Sequence, residues 1–445
     1  MKKLLIIIYL STLGLNLKSV AQNTLTLNDA IIIGLEQNFD IQIENEKVNA
    51  ASINNTWGQA GRLPTIDLQV NESNSFSSTD NPARLQNGDF FNVNVGPQLT
   101  ANWTIFEGFK VNITKHRLEL LEEQSSGNST IIVENTIQGI VQAYYSALLE
   151  QERLNTLKET MKLSRMKYRY SEAKLELGSA VTYDVLRDKN NYLTDSSNYL
   201  NQELKYRNAL RQLNVLLAED VQEEFVLIDK LSASEKDYAF ADLHSRMTKD
   251  NSTLKNQFIN LKILQEDVKL AKTALMPRLG VTAGASYEKS YFADISESKP
   301  ENQPTVDIGT TKNYYMNFSL AYRLWDGGKI KRSIQNAQIQ ERIGNLQIDK
   351  MENELSNLLL SNLELYNVQK NVLKVRDENL KTADLNLELA TEKFRNGTIT
   401  TFEFRDVQIN QLRASLEKLQ SIYELINTDT ELMRISGGIL TELNP

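Results

Sequence analysis

Two proline-free stretches bounded by glycines constrain this chain more than anything else in it. Gly108 precedes Gly178 by 70 residues, and Gly327 precedes Gly397 by 70. The first opens from "WTIFEGFK" (Trp103 to Lys110) and closes on "LELGSAVTYDVL" (Leu175 to Leu186). The second opens from "RLWDGGKI" (Arg323 to Ile330) and closes on "FRNGTITTFEF" (Phe394 to Phe404). Adding 219 to a number in the first gives its counterpart in the second. As helix, 70 residues reach about 105 Å, more than an ordinary globular domain uses. The stretches also carry a seven-residue beat. Leu359, Tyr366, Leu373, Leu380, Leu387 and Phe394 are matched by Ile140, Ala147, Leu154, Met161, Tyr168 and Leu175. Such a repeat keeps one seam facing a neighbour and imposes a left-handed supercoil. The intervening Asn362, Gln369, Arg376, Ala383 and Ala390 are poor positions for a dry two-helix zipper. They suit shallow packing in a wall of many helices.

The length prior of two or three domains thus gives way to one architecture built twice. All seven prolines lie outside the two glycine-bounded tracts. No cysteine is present, which excludes disulfides, thiolate metal sites and cysteine nucleophiles. Residues 1–21 read as a signal peptide. Lys2 and Lys3 precede an apolar run from Leu4 to Leu17, and Ser19-Val20-Ala21 is a small-x-small cleavage site. Removing Lys2, Lys3 and Lys18 with it takes the formal net charge from −8 to −11, which argues against nucleic acid. The mature chain has no stretch of 18 apolar residues, so no spanning helix is expected.

From Thr26 to Gly61 the pattern reads as one helix capped by Thr26 or Asn28. Its counterpart runs from about Asp242 to Met276, and Pro64 and Pro277 stop the two. After each proline the period changes from helical to two. Ile66, Leu68 and Val70 alternate with Thr65, Asp67, Gln69 and Asn71. Beyond a polar loop at Ser73 to Asp89, Phe91, Val93, Val95, Leu99, Ala101, Trp103 and Ile105 oppose Asn92, Asn94, Gln98, Thr100, Asn102 and Thr104. In the second half Leu279, Val281, Ala283, Ala285 and Tyr287 form one face. After a loop at Ser290 to Thr311, Tyr314, Met316, Phe318, Leu320, Tyr322 and Leu324 form another. Strands this long, with Phe90, Phe91, Tyr314 and Tyr315 at one end and Trp103 and Trp325 at the other, match membrane strands with interfacial girdles.

Four strands cannot close a barrel, and an open edge in lipid leaves backbone groups unpaired. Two copies would give eight strands and a filled interior; three give twelve and room for a lumen. The polar faces suit water. The expectation is a mainly α protein with a membrane β-barrel: a trimeric 12-stranded β-barrel, four strands per chain, continued into a long α-helical barrel and built from two internal repeats. Gly108, Gly327 and Gly328 mark tight strand-exit turns. Gly178 and Gly397 sit at the rod tips as left-handed helix terminators, with Thr182 and Thr401 as caps of the returning helices to Leu217 and Ile435. The expected parts are a first repeat at 22–217, an equatorial linker at 218–241, a second repeat at 242–436 and a tail at 437–445.

This combination resembles the TolC-type outer-membrane factors of tripartite efflux and type I secretion. The resemblance rests on the proline opening each first strand ("GRLPTIDL", "ALMPRLGV"), the paired strand exits and the paired tips, and covers Thr24 to about Gly438. It implies a homotrimer with its barrel in outer-membrane lipid and a 12-helix tunnel in the periplasm. It also implies tips that face an inner-membrane transporter through a periplasmic adaptor (membrane fusion) protein. Glu403 and Asp406 match acidic positions that relatives place at a narrow tunnel entrance, and Asp184 matches Glu403 in the first copy. The alternative for Glu403 is a helix N-terminus that favours its charge. Gly178, Ser179, Gly397, Thr398 and Thr400 are the matching adaptor-contact tips. Ile399 and Phe394 depart from relatives that carry arginine and tyrosine there, in polar links between helix pairs.

The function this predicts is a passive exit duct without cofactor or chemistry. His116 and His244 have no partners nearby in sequence, and there is no HExxH, P-loop or GxSxG. A trimeric coiled-coil surface scaffold or adhesin would use the heptads but has no need of two lipid-facing hairpins. An enzyme housed in a barrel would need a catalytic grouping that the sequence lacks.

Overall fold

The computed structural model describes residues 24–80, 88–295 and 305–442. The signal peptide expected at 1–21 lies outside them, as do parts of both strand-connecting loops. The chain divides into two compact units. One comprises Glu46–Ser126 and Asn256–Asp349; the other takes in Met1–Asn45, Gly127–Lys255 and Lys350–Pro445.

The first unit holds a four-stranded antiparallel sheet, β2 (Thr65–Thr79), β3 (Gly88–Glu107), β5 (Arg278–Asp294) and β6 (Thr305–Ala321), in that spatial order. Pro64 and Pro277 directly precede β2 and β5, but the helices before them have already ended, at Asn54 and Thr273, so the prolines open the strands and do not stop the helices. The register pairs Leu68 with Leu99, Leu99 with Ala285, and Ala285 with Tyr314. One face therefore collects Ile66, Leu68, Val70, Leu99, Trp103, Met316 and Phe318, and the other Gln98, Thr100, Ser286, Asn313 and Asn317. The apolar face is bare in the single chain: Leu68 is 70% exposed and Phe318 69%. Among the described residues β2 and β6 each pair on one side only.

The ladder runs further than the alternation predicts. Ser73, Asn74, Ser75 and Ser77 fall in the expected polar loop, yet they pair with Asn94, Val93, Asn92 and Phe90. The strand at 305 likewise starts inside the loop expected to end at Thr311. Ladder bonds are backbone bonds, so a polar segment extends a strand without an apolar signature. Longer strands move the aromatics. Tyr314 and Tyr315 oppose Ala285 and Gly284 in mid-strand rather than at an end. The Tyr315 hydroxyl accepts from Gln98 Nε2 at 3.1 Å on the polar face. A Cβ on Gly284 would lie 2.5 Å from that ring, which explains the glycine. Phe90 also takes the polar face, stacked on Phe292 at 5.2 Å. β6 stops at Ala321, so Tyr322 and Leu324 are not strand residues.

The long helices are α3 (Lys110–Glu176) and α7 (Lys329–Arg395), each 67 residues, starting 219 apart. Each follows a pair of left-handed residues: Gly108 and Phe109 (φ 56° and 63°), and Gly327 and Gly328 (φ 68° and 77°). Gly108 is also tightly approached, since a Cβ there would sit 2.8 Å from Met276 Cβ. The returning helices are α4 (Thr182–Leu217) and α8 (Thr401–Ile435).

The expected helix from Thr26 to Gly61 is two helices, α1 (Leu27–Gln37) and α2 (Phe39–Asn54), broken at Asn38. Its counterpart is likewise α5 (Phe240–Asp250) and α6 (Ser252–Thr273), broken at Asn251. A tertiary contact makes each break. Asn38 Nδ2 donates to Leu216 O at 2.8 Å, and Asn251 Nδ2 donates to Ile435 O at 2.9 Å. Each asparagine's Oδ1 then accepts from an amide of the next helix: Asp40 N at 2.9 Å and Leu254 N at 2.9 Å. These helices, with β2 and β5, start 213 residues apart, as Leu27 against Phe240 and Thr65 against Arg278 show. Spacing changes to 219 only after the first hairpin connection.

In the second unit Ile137, Ile140, Tyr144 and Leu148 of α3 pack with Leu213 and Leu217 of α4 and with Ile31 of α1. Leu359 and Tyr366 of α7 pack with Leu425 and Leu432 of α8 and with Met247 of α5. The segment expected as a linker is part of this core. Its β4 (Val226–Leu227) pairs in parallel with β1 (Thr24–Leu25), and Phe225 and Leu227 are buried. The Tyr144 hydroxyl lies 2.7 Å from Asp229 Oδ2 and 3.0 Å from Leu25 O, fastening both segments. The expected tail forms α9 (Ile439–Glu442). Ile439 is buried, and Glu442 pairs with Lys236 at 3.2 Å and Arg246 at 3.1 Å.

Candidate functional site

The helix ends predicted as tips close in matching ways. Gly178 and Gly397 are left-handed (φ 69° and 71°) with nothing near their Cβ positions, so conformation alone calls for glycine. Gly178 N donates to Leu175 O at 2.9 Å and Ser179 N to Lys174 O at 2.8 Å. Gly397 N and Thr398 N repeat this on Phe394 O and Lys393 O at 3.1 and 2.9 Å. Both are Schellman closures. The Ser179 and Thr398 hydroxyls also fold back, each 3.0 Å from the same carbonyl as its own amide.

The starts of the returning helices differ from expectation. Thr400, not Thr401, caps α8. Glu403 N donates to Thr400 Oγ1 at 3.2 Å, and Thr400 N donates to Glu403 Oε2 at 2.8 Å, a complete capping box. Those hydrogen bonds from Thr400, backbone first, hold the Glu403 carboxyl below the usual range. The first-copy start has no side-chain cap: its N-cap residue is Val181, and Thr182 is the first helical residue. Asp184 pairs with Arg187 at 3.0 Å, and Asp406 accepts from Asn410 Nδ2 at 3.3 Å. Each predicted acid is thus engaged within its own helix.

Sequence reasoning missed a buried polar layer behind these tips. Arg405 of α8 grips Asp195 of α4 with both Nη atoms, at 2.7 and 2.8 Å. Ser164 of α3 also donates to Asp195. Gln408 Nε2 donates to Ser164 Oγ at 3.2 Å and to Thr160 O at 3.3 Å. One turn nearer the tip, Lys167 Nζ donates to Thr401 O at 2.8 Å and lies 3.2 Å from Asp188 Oδ1. Asp188 Oδ2 accepts from Ser171 Oγ at 2.6 Å. Lys167 also sits over Phe394 and Phe404, at 5.4 and 5.2 Å. Burial pulls its pKa below the ordinary lysine value, with Asp188 opposing the shift. Phe394 packs on Phe404 at 5.0 Å and on Tyr170 at 5.9 Å, so this departure from relatives supplies an aromatic contact. A groove of about 230 Å³ opens over Met166, Lys167, Tyr170 and Phe394. One sequence signal for the layer existed. Asp188, Asp195 and Gln202 are seven apart on α4 and buried, while Leu186, Leu193 and Leu200, also seven apart, are exposed. Here the helix turns its polar stripe inward and its leucines outward.

The histidines find partners. His116 Nδ1 lies 3.1 Å from Glu266 Oε1, and His244 Nε2 lies 3.2 Å from Ser356 Oγ. Among the described residues no group of three or more His, Asp or Glu is arranged to hold a metal ion.

The outer membrane efflux protein profile matches residues 33–219 and 243–438. The chain belongs to the outer membrane efflux protein family. Its fold agrees with solved family channels. The CmeC outer membrane channel of Campylobacter jejuni superposes with a TM-score of 0.74 at 16% identity, covering 93% of this chain and 85% of that one. The open-state MtrE outer membrane channel of Neisseria gonorrhoeae gives 0.70 at 13% identity, covering 93% and 89%. By sequence, nodulation protein T of Rhizobium leguminosarum bv. viciae is 20% identical over 324 residues, 70% of this chain but only 61% of that protein. Its namesake from R. leguminosarum bv. trifolii is 20% identical over 414 residues, covering 88% and 83%. The family is that of outer membrane efflux proteins, and the fold is shared with solved outer membrane channels. Among the described residues no helix is long and apolar enough to cross a membrane.

Proposed function

We propose that three copies of this family member form the exit duct of a tripartite export system. Each contributes four strands to a 12-stranded barrel in outer-membrane lipid and two internal repeats (22–217 and 242–436, joined by 218–241) to an α-helical tunnel in the periplasm. The duct conducts passively. A periplasmic adaptor meets the tips at Gly178, Ser179, Gly397, Thr398 and Thr400, and an inner-membrane transporter supplies the energy. Glu403, Asp406 and Asp184 from three copies ring the entrance.

The observation that carries this reading is the sheet: four long strands, two unpaired edges and one bare apolar face. Fully burying one such leucine or phenylalanine is worth about 1.5–3 kcal/mol, so a row of them left in water is untenable. Unpaired edges of 15 and 17 residues need partners in lipid. A surface scaffold would require neither. The test is conductance in planar bilayers. Purified protein should give stable single-channel steps that divalent cations block from the tip side. Glu403→Ala with Asp406→Ala should weaken that block about tenfold, as expected when carboxylates that attract cations are removed. Unchanged block would remove both residues from the entrance, and a protein that never conducts would exclude a duct.

A further inference from the structure

The apolar face of the sheet does not stay apolar along its whole length. Near the helices it pairs Leu279 with Leu320, Val281 with Phe318 and Ala283 with Met316. Further out the same face sets Tyr314 opposite Ala285, Lys312 opposite Tyr287, Lys289 opposite Thr310 and Tyr291 opposite Ile308. Lys289 and Lys312 are thus diagonal neighbours on adjacent strands, with backbones about 7–8 Å apart. One phosphate can bridge two flexible lysine stems at that spacing. Lys312 is exposed, and Lys289 Nζ lies 5.1 Å from the centre of the Tyr291 ring. Among the described residues neither lysine forms an ion pair. Glu72 shares the row of Lys289 but lies two strands away, and its carboxylate accepts from Asn74 Nδ2 at 3.2 Å.

The other face sorts charge the opposite way. Asp67, Glu288, Asp294 and Asp307 lie on the polar face, where Arg278 at the start of β5 is the single cation among the described strand residues. A lysine that needed only water or a carboxylate belongs on that wet face. A lysine turned toward lipid is costly at the bilayer midplane and tolerated at its interfaces. Lys289 lies ten residues beyond Leu279. That is about 34 Å of strand, or about 24 Å of height at a 45° tilt, close to the height of an outer-membrane apolar band. The lysine pair therefore reaches the interface far from the helices.

Resting on the exit-duct reading, which puts the helices on the periplasmic side, we propose that Lys289 and Lys312 hold a phosphate-bearing glycolipid of the outer leaflet. The two ammonium groups take the phosphate as point charges at headgroup depth. Tyr287, Tyr291 and Tyr314 surround them and offer flat, amphipathic faces to the sugar. The acyl chains then lie along the apolar rows nearer the helices, on Met316 and Phe318. A free anion would use the lysines but leave the tyrosines and those rows without a role.

The test is native mass spectrometry of the full-length trimer, stripped of lipid in detergent and titrated with bisphosphorylated lipid A. One lipid should bind per protomer. Lys289→Gln with Lys312→Gln should weaken binding about thirtyfold, while Lys289→Arg with Lys312→Arg should retain it. Dephosphorylated lipid A and phosphatidylglycerol should each bind the wild type at least about tenfold more weakly, and excess inorganic phosphate should not displace the lipid. Equal affinity for phosphatidylglycerol would mean that the lysines attract any anionic surface. Displacement by phosphate would mean a free-anion site, and unchanged binding in the glutamine variant would put the lipid elsewhere. Each of these overturns the proposal. If the glutamine variant forms no trimer in the same spectra, the lipid comparison on the wild type decides alone. A wild type that never conducts would sink the duct reading by itself, while lipid selectivity still decides the site.

Discussion

At the scale of single residues, the glycines were readable and the buried acids were not. Gly108, Gly178, Gly327 and Gly397 bracket the long helices because chain reversal needs a left-handed residue at that point, a local requirement. Asp195 and Lys167 read as ordinary solvated charges; only the arrival of α8 makes them interior. Glu134 is a third such case. It is 5% exposed and accepts from Ser252 Oγ at 2.5 Å. Burial raises its pKa despite that bond and the nearby charges of Arg434 and Lys255. A carboxyl whose folded pKa lies above the unfolded one contributes stability below the unfolded value and loses it as pH rises through the folded value. Glu134→Gln should therefore stabilise the protein at pH 8, where the buried wild-type carboxyl is charged. The gain should vanish below about pH 4. Thermal unfolding followed by circular dichroism across that range checks this; a gain independent of pH would contradict it.

Among elements, the long helices matched expectation to within two residues at each end because their period, glycine ends and lack of proline are all local signals. The half-length helices did not. Nothing near Asn38 or Asn251 breaks the helical pattern. What breaks it is a carbonyl at the far end of another helix, Leu216 O or Ile435 O. The strands were found by their alternation but cut short, since Ser73 to Thr79 carry no apolar stripe. Asn251 is 3% exposed, so Asn251→Ala would leave Ile435 O and Leu254 N without partners inside the protein. The loss should be about 1–3 kcal/mol, read as a lower midpoint in denaturant with an unchanged slope. An unshifted midpoint would mean that the break is held by something else.

For the whole molecule, the single chain is unfinished by its own physics. Among the described residues the apolar sheet face has no cover, two strand edges have no partner, and α4 turns Leu186, Leu193 and Leu200 outward, at 60%, 54% and 61% exposure. The leucine stripe is accounted for if a second copy covers it. Leu193→Glu should then shift detergent-solubilised protein from trimer to monomer in light scattering, and an intact trimer would move the seam elsewhere. The alternation made the four strands and their apolar face legible in sequence. The inward polar stripe was not, because α4 buries Asp188, Asp195 and Gln202 near the tip while burying Leu213 and Leu217 further along, a switch that no periodicity announces. The central claim is that three copies close one wall edge to edge. The chain has no native cysteine, so a cysteine on β2 (Gln69→Cys) and one on β6 (Asn313→Cys) would be the only thiols present. Oxidative crosslinking in native outer membranes, moving the β6 cysteine along the strand to find register, should give covalent dimers and trimers and stop there. Chains that never link, or ladders that continue past three, would contradict a closed trimeric wall.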